Sequence, residues 1–263
     1  MQETLFSLDY QVIDAHMHPY LAADRNFAFE VPQNFEDFFA VQTRAGIGLS
    51  CGSFNEFGAG NDPEKLKKCN DRVLEVHRNY PEKFYPGVNV SPLLPEFSCA
   101  AIEEFHRMGF RWIGELAWYV MGYEKYDLPG MKPILDLAAQ LEMTVCLHPS
   151  TYEDIDGLLS AFPKTRIVIA HPEGPWSISK MYELAQKHEN MYLDLSGSGL
   201  FRMGMLRKGV DMMGAERILF GTDYPICNPA MNVAGVLFEK LTPQEQKCIL
   251  RDNFLHLTGQ ISS

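Results

Sequence analysis

Eight short apolar segments, most of them separated by a stretch of helical periodicity, restrict this chain to a few folds. The segments cover residues 11–15, 46–51, 84–90, 110–116, 143–148, 166–171, 191–196 and 217–222. Several are almost continuously apolar, which is typical of parallel strands covered on both faces. Eight such strands in 263 residues favour a closed (β/α)8 TIM barrel over an open doubly wound sheet, with residues 1–263 forming one domain.

Sequence signals for the start of a helix follow several of the strand segments. Asp62 and Pro63 supply an N-cap and a first-turn proline for a helix that we expect to reach Asn79. Thr242 is followed three residues later by Glu245, which is the spacing of a capping box. These signals support the alternation of strands and helices.

Composition excludes several classes of partner. The formal net charge of −11 would repel phosphate backbones and anionic lipid, so we expect a small-molecule substrate rather than nucleic acid or a membrane. The six cysteines form no C-x-x-C pair, the first ten residues carry no Lys or Arg, and no apolar run reaches the roughly 18 residues of a membrane span. A cytoplasmic protein with reduced thiols is therefore expected. The oligomeric state stays open, a homo-oligomer included.

Polar residues interrupt the apolar segments where the strands should end. His16 and His18 close the first strand at a spacing that points both side chains to one face. His148 and His171 follow the fifth and sixth segments, and Asp223 follows the eighth. Because barrel enzymes place their active sites at the carboxyl ends of the strands, we expect these five side chains to meet.

Imidazole and carboxylate together indicate a catalytic metal site with an open water position. We expect zinc, with manganese or iron as alternatives, and one or two ions. A single histidine at a strand end is more often a hydrogen-bonded structural residue, and a single Asp in this position can cap a turn. Four histidines and one acid at the ends of four strands favour a site. The other histidines lie in or at the ends of helical segments and are not expected there: His77, His106, His188 and His256.

The ordered set resembles the amidohydrolase superfamily, and within it the amidohydrolase-related branch of metal-dependent TIM-barrel hydrolases that also contains decarboxylases and lactonases. The resemblance covers nearly the whole chain. It rests on His16-x-His18, His148, His171, Leu195-Ser196-Gly197, Gly221-Thr222-Asp223-Tyr224-Pro225 and Arg251-Asp252-Asn253. It implies that His16, His18 and Asp223 hold one metal ion. His148 and His171 would then hold a second ion, or contact the substrate and the water of the first.

Glu115 bears on the number of ions. It ends the fourth strand, where superfamily members with two metals often carry a bridging carboxylate, and this segment also resembles the Gly-Glu strand of TatD-type nucleases. We expect Glu115 to be a ligand, because an unpaired acid inside an apolar strand is costly. The alternative is a hydrogen-bond acceptor for the substrate. Glu173, close to His171, either orients a histidine or caps a helix expected to begin near Pro175.

These residues predict a metal-dependent hydrolase that cleaves an amide, ester or lactone of a small molecule with metal-activated water. Asp223 would transfer the proton, and His171 would stabilise the oxyanion or complete a second metal site. Trp118 and Tyr119 would form aromatic walls, and Arg202 would pair with a substrate carboxylate. The alternatives are a non-oxidative decarboxylase of the same superfamily, then a TatD-type nuclease, then a catalytically silent metal-binding barrel.

Overall fold

The computed structural model describes residues 4–172, 178–197 and 202–260. Each predicted strand segment overlaps one strand, and β1 and β2 run one or two residues past their segments. The strands are β1 (Val12–Met17), β2 (Ile47–Gly52), β3 (Phe84–Pro86), β4 (Trp112–Leu116), β5 (Thr144–Leu147), β6 (Arg166–Ile169), β7 (Met191–Asp194) and β8 (Ile218–Leu219). The strands are shorter than the predicted segments at β3 and β8, where the chain leaves the regular ladder early.

Helices follow the strands along the chain. They are α1 (Phe35–Arg44), α2 (Pro63–Asn79), α3 (Pro95–Arg107), α4 (Trp118–Met121), α5 (Met131–Gln140), α6 (Tyr152–Ala161), α7 (Ile178–Lys187), α8 (Met205–Met213), α9 (Pro229–Phe238), α10 (Pro243–Lys247) and α11 (Asn253–Leu257). Short 3₁₀ turns cover Ala59–Asn61 and Ala215–Arg217, and a π turn, Cys248–Asp252, joins the last two helices. Within the described ranges, no helix has the length and apolar character that crossing a membrane requires.

The predicted helix starts are confirmed. The Asp62 side chain accepts hydrogen bonds from the backbone N–H groups of Glu64 and Lys65, directly before Pro63 at the first position of α2. Thr242 and Glu245 form the reciprocal hydrogen bonds of a capping box at α10. Each cap satisfies backbone donors that the first turn of a helix leaves without a partner.

All strand pairs are parallel, and they form two sheets of order β1-β2-β3 and β4-β5-β6-β7-β8. Backbone hydrogen bonds cross both gaps between the sheets. Val88 N donates to Trp112 O at 3.0 Å beside β3 and β4, and His18 N donates to Tyr224 O at 2.8 Å beside β1 and β8. The strands therefore follow one another in chain order around a barrel, as the sequence predicts.

Apolar side chains fill the interior and the layer between strands and helices. Val145 on β5 and Ile167 and Val168 on β6 are fully buried. Burying each such side chain contributes about 1.5–3 kcal/mol to the free energy of unfolding. A few polar side chains, such as Asp14 on β1 and Ser50 on β2, are also buried within the strands, but the candidate site is built where the strands end.

Candidate active site

The six candidate ligands lie at the carboxyl ends of five strands. His16 is in β1 and Glu115 is in β4, whereas His18, His148, His171 and Asp223 occupy the connections that follow β1, β5, β6 and β8. His16, His18 and Glu115 are buried, and the other three are partly exposed at the mouth of the barrel. The structure therefore brings together every ligand position that the sequence predicts.

Glu115 lies at the centre of the cluster. Its Oε1 is 2.9 Å from His148 Nδ1 and 3.2 Å from His171 Nε2. Its Oε2 is 3.3 Å from His18 Nε2 and 3.6 Å from His16 Nε2. One carboxylate thus contacts or approaches all four histidines.

Asp223 completes the cluster on the side of β1. Its Oδ1 is 3.5 Å from His18 Nε2. Donor atoms of His16, His18 and Asp223 all lie within 4.8 Å of one another, and the same holds for His16, Glu115 and His171. These are two overlapping groups that share His16, and either could surround a metal ion.

Two site residues adopt the left-handed backbone conformation. The φ angle is +56° at His171 and +64° at Asp223. Residues with a side chain rarely adopt such angles, which cost of the order of 1–3 kcal/mol unless the surroundings impose them. At Asp223 a backbone hydrogen bond holds this conformation, since the Asp223 N–H donates to His16 O at 2.8 Å. The backbone thereby fixes the Asp223 side chain beside the histidines of β1.

The far nitrogens of the β1 histidines are held by the protein. His18 Nδ1 donates to Ser53 O at 2.9 Å, so a metal ion can bind this ring only through Nε2. His16 Nδ1 lies 2.9 Å from Asp194 Oδ2, at the end of β7. Asp194 was not among the residues predicted for the site. Its sequence signal is a single acid in the apolar segment 191–196, and the structure buries it completely.

Charge is concentrated in this cluster. Burial by itself would lower the pKa of His16, but the attraction of Asp194 and Glu115 raises that pKa well above its usual value. Burial would raise the pKa of Glu115, but the attraction of His16 and the hydrogen bond from His148 hold that pKa well below its usual range. Ionised carboxylates in a buried pocket attract a cation.

The residues present fit a divalent metal ion. His16 Nε2 is buried and has no hydrogen-bond partner among the described residues. Leaving such an atom unpaired costs about 1–3 kcal/mol, so this nitrogen should have a partner. Imidazole nitrogens and carboxylate oxygens are the donors that zinc, manganese and iron share. A metal ion supplies the missing partner and balances the carboxylate charge.

The predicted substrate residues are placed as follows. The Tyr119 side chain is half exposed, with its ring 4.8 Å from that of His148, and the Trp118 ring lies 5.6 Å from Tyr119. Arg202 is exposed and directly follows a segment that is not described, so its role stays a prediction. Glu173 lies outside the described residues.

Comparison with known proteins gives the following matches. The model of the family described as Amidohydrolase matches residues 13–253. No curated protein has a sequence that matches this chain. The 2,6-dihydroxybenzoate decarboxylase from Rhizobium is 15% identical with a TM-score of 0.74, covering 95% of this chain and 99% of that one.

Two further structures are similar over their whole length. The 5-carboxyvanillate decarboxylase from Novosphingobium aromaticivorans, complexed with manganese and 4-hydroxy-3-methoxy-5-nitrobenzoic acid, is 15% identical with a TM-score of 0.76, covering 98% of each chain. A TIM-barrel protein from Bordetella bronchiseptica is 20% identical with a TM-score of 0.74, covering 95% of this chain and 99% of that one. All three share the fold of this chain.

The comparisons correct the expected reaction. The enzymes with a stated activity among these similar structures are decarboxylases, so the prediction of amide, ester or lactone hydrolysis is wrong. The predicted alternative, a non-oxidative decarboxylase, agrees better with them. A divalent metal is supported, but the ion in the similar structure is manganese, and zinc has no support there. The ligand types do not separate the two reactions, because both use the same donors.

Proposed function

Because the chain belongs to the amidohydrolase family of enzymes, we propose that it is a metal-dependent, non-oxidative decarboxylase of a small aromatic carboxylate. One observation carries the proposal: an acid, Asp223, and a set of imidazole ligands face the same opening, next to an aromatic wall. The similarity in fold to decarboxylases of hydroxybenzoates supports it.

The proposed metal site uses the six residues of the cluster. His16, His18 and Asp223 would hold one ion. Glu115, His148 and His171 would border the same ion, or bind a second one with Glu115 as the bridge. When bound, a divalent ion supplies the positive charge that orients the anionic oxygens of the substrate. Manganese is the first choice, because a structural neighbour binds it.

Asp223 is the proposed proton donor. Decarboxylation replaces the C–C bond to the carboxylate by a C–H bond, so that R–COO⁻ and one H⁺ give R–H and CO₂. The carboxyl group of Asp223 would give its proton to the ring carbon that bears the carboxylate, and the electron pair of the breaking C–C bond would return to the ring. The Asp223 side chain is 15% exposed, which lets it regain a proton from solvent.

Aromatic side chains favour a flat substrate. The ring of Tyr119 lies between those of His148 and Trp118, at the open side of the cluster. Offset or edge-on contact with a substrate ring would stabilise the complex by about 0.5–1.5 kcal/mol per ring beyond area burial. Tyr119 and Trp118 are therefore proposed to hold the ring of the substrate while the carboxylate enters the cluster.

Two arginines are candidates for a second anionic group of the substrate. Arg202 is the one predicted from the sequence. The structure adds Arg25, whose guanidinium lies 3.9 Å above the ring of Tyr20, which in turn stacks on His18 at 5.2 Å. Replacing the anchoring arginine by Gln should raise KM and leave kcat largely unchanged, because a remote anchor contributes uniform binding.

The direct test measures whether the carboxylate carbon of the substrate is released. Protein loaded with manganese is incubated with hydroxybenzoates labelled with ¹³C in the carboxylate, and ¹³C NMR monitors labelled CO₂ and bicarbonate. A parallel panel of lactones, amides and phosphoesters monitors hydrolysis. We expect label release by the loaded protein and none after chelation. Hydrolysis without label release, or label release that chelation leaves unchanged, would overturn the proposal.

A further inference from the structure

We propose that Asp194 is a positioning residue that holds a hydrogen on Nδ1 of two metal-binding histidines and thereby directs Nε2 of each to the metal, His16 directly and His171 through the hydroxyl of Ser196. The inference rests on the proposed metal site and goes beyond it, because Asp194 and Ser196 lie behind the ligands. It follows from counting donors and acceptors in a fully buried group.

The contact with His16 is direct. Asp194 Oδ2 lies 2.9 Å from His16 Nδ1, and both side chains are buried. A carboxylate can only accept a hydrogen bond, so His16 must carry its hydrogen on Nδ1. A metal ion can then bind His16 only through Nε2, which is the buried atom that has no hydrogen-bond partner in the described part of the chain. Asp194 thereby turns Nε2 towards the metal position.

The contact with His171 runs through one hydroxyl. Asp194 Oδ1 accepts hydrogen bonds from both the backbone N–H of Ser196, at 2.8 Å, and the Ser196 hydroxyl. The hydroxyl has a single hydrogen, so towards His171 Nδ1, 3.0 Å away, its oxygen can only accept. His171 must therefore also carry a hydrogen on Nδ1. The nitrogen left to bind a metal ion is Nε2, which lies 3.2 Å from Glu115 Oε1 inside the cluster.

The neighbouring backbone leaves room for this arrangement. A Cβ atom on Gly197 would lie 2.8 Å from His171 Nδ1, and a Cβ atom on Gly221 would lie 2.8 Å from His16 Cβ and 3.2 Å from Asp194 Oδ1. Contacts of 2.8 Å are shorter than packed atoms tolerate. Glycine at Gly197 therefore leaves space for the His171 ring, and glycine at Gly221 leaves space for His16 and Asp194.

The consequence is a coupling between two ligands from different strands. A carboxylate behind a metal-binding histidine fixes its tautomer and orientation, and its removal costs about 10- to 100-fold in metal affinity or activity. Here one carboxylate would hold two imidazoles. Asn cannot replace it, because an amide has only one oxygen and its NH₂ group would face an N–H.

The experiment compares three variants for metal affinity and for the hydrogen-bonded Nδ1–H groups of His16 and His171. Asp194→Asn removes the whole arrangement. Ser196→Ala removes the connection to His171 and a longer contact of the hydroxyl with His16 Nδ1, at 3.2 Å, and leaves the direct contact between Asp194 and His16. Asp156→Asn is the matched control, since Asp156 Oδ1 lies 2.6 Å from His188 Nε2 away from the cluster. Affinity for manganese and zinc is measured by competition with a chromophoric chelator. ¹H–¹⁵N spectra of the metal-free protein report each hydrogen-bonded Nδ1–H.

We expect Asp194→Asn to lower the affinity about 10- to 100-fold and to abolish the hydrogen-bonded Nδ1–H signals of both histidines. Ser196→Ala should lower the affinity less and abolish only the signal of His171, while Asp156→Asn should match the unmodified protein. Wild-type affinity and unchanged Nδ1–H signals in a folded Asp194→Asn variant would overturn the inference. If that variant does not fold, an unchanged His171 signal in Ser196→Ala overturns the connection through the hydroxyl. Failure of the unmodified protein to bind either metal would refute the proposed function instead, and the Nδ1–H signals of the metal-free protein would still test Asp194.

Discussion

Two Asp–His pairs in this molecule have the same chemistry and different surroundings. Asp194 and His16 meet at 2.9 Å inside the barrel, where both side chains are buried. Asp156 and His188 form a pair near the surface, 2.6 Å apart: the His188 ring is buried, but the Asp156 carboxylate is partly exposed and also contacts Lys187. The surface pair has the shorter distance. Distance therefore does not identify the functional pair.

The atoms that do not take part in the Asp–His contact distinguish the two pairs. His16 Nε2 points into the cluster and has no hydrogen-bond partner among the described residues. In the surface pair, the second oxygen of the Asp156 carboxylate accepts a hydrogen bond from Lys187 Nζ at 2.7 Å. Surface ion pairs contribute about 0–1 kcal/mol, because solvent screens them and the side chains lose entropy. A buried pair with an unsatisfied atom is costly unless a ligand completes it. The predictions below test this difference.

The largest difference is expected when the histidines themselves are removed. His16→Ala should reduce metal affinity by more than the roughly 100-fold upper limit for changes behind a ligand, because it removes donor atoms from both candidate metal groups. His188→Ala should leave metal content and activity unchanged. Elemental analysis of dialysed protein measures both. Equal metal content in the two variants would place the site elsewhere.

Asp223→Asn tests whether this carboxylate transfers a proton as well as binding metal. The amide keeps an oxygen but cannot donate or accept the proton near neutral pH, so kcat should fall about 100-fold or more, the usual scale for a positioned acid or base. Metal affinity should fall by a smaller factor. Label release and chelator competition on one preparation give both numbers. A variant with nearly normal kcat would remove Asp223 from the chemistry.

Gly197→Ala tests the space beside His171. Gly197 has φ +69° and Gly58 has φ +73°, so alanine at either position should cost about 1–2 kcal/mol of unfolding free energy. A Cβ on Gly58 meets no atom within 4 Å, whereas one on Gly197 would press on His171. Both variants should unfold in less urea, and only Gly197→Ala should also weaken metal binding. Equal metal affinity would show that His171 has room to move.

The smallest effect is expected at the surface pair. The hydrogen bond from Lys187, followed by the one from His188, lowers the pKa of Asp156. A carboxylate with a lowered pKa stabilises the fold above its unfolded pKa of about 3.9 and loses this contribution as the pH falls through its folded pKa. Asp156→Asn should therefore cost about 0.5–1 kcal/mol at pH 7, and the difference should shrink as the pH falls below about 4 and vanish once the pH is below the lowered pKa of Asp156. Urea unfolding at several pH values measures it.

Sequence reasoning located the ligands because an apolar strand makes a polar residue at its end conspicuous. His148 and His171 directly follow such runs, and the barrel brings them together as predicted. The same reasoning misses Asp194, which stands as a single acid inside the apolar segment 191–196. A single acid in a buried strand requires a buried partner, and that requirement could have indicated it.

The reaction class could not be read from the ligands. A metal-bound imidazole and carboxylate set can activate water or orient a carboxylate, and the choice depends on what the mouth of the barrel admits. What the mouth admits depends on side chains outside the strands, such as Tyr119 in α4 and Arg202, whose positions follow from tertiary packing rather than from strand periodicity. The end of β8 could not be predicted from the sequence either, because the apolar segment continues to residue 222 while the regular strand stops at Leu219.

The junction of the first and last strands has a consequence for how the protein is made. The backbone oxygen of His16 accepts hydrogen bonds from the N–H groups of Thr222 and Asp223, so the metal-binding end of β1 closes onto residues about 200 positions later. Contacts between such distant parts of a chain form late and slowly. During synthesis the histidines of β1 leave the ribosome long before Asp223. A nascent chain arrested before residue 222 should therefore be unable to assemble the complete metal site, however much of the barrel has already folded.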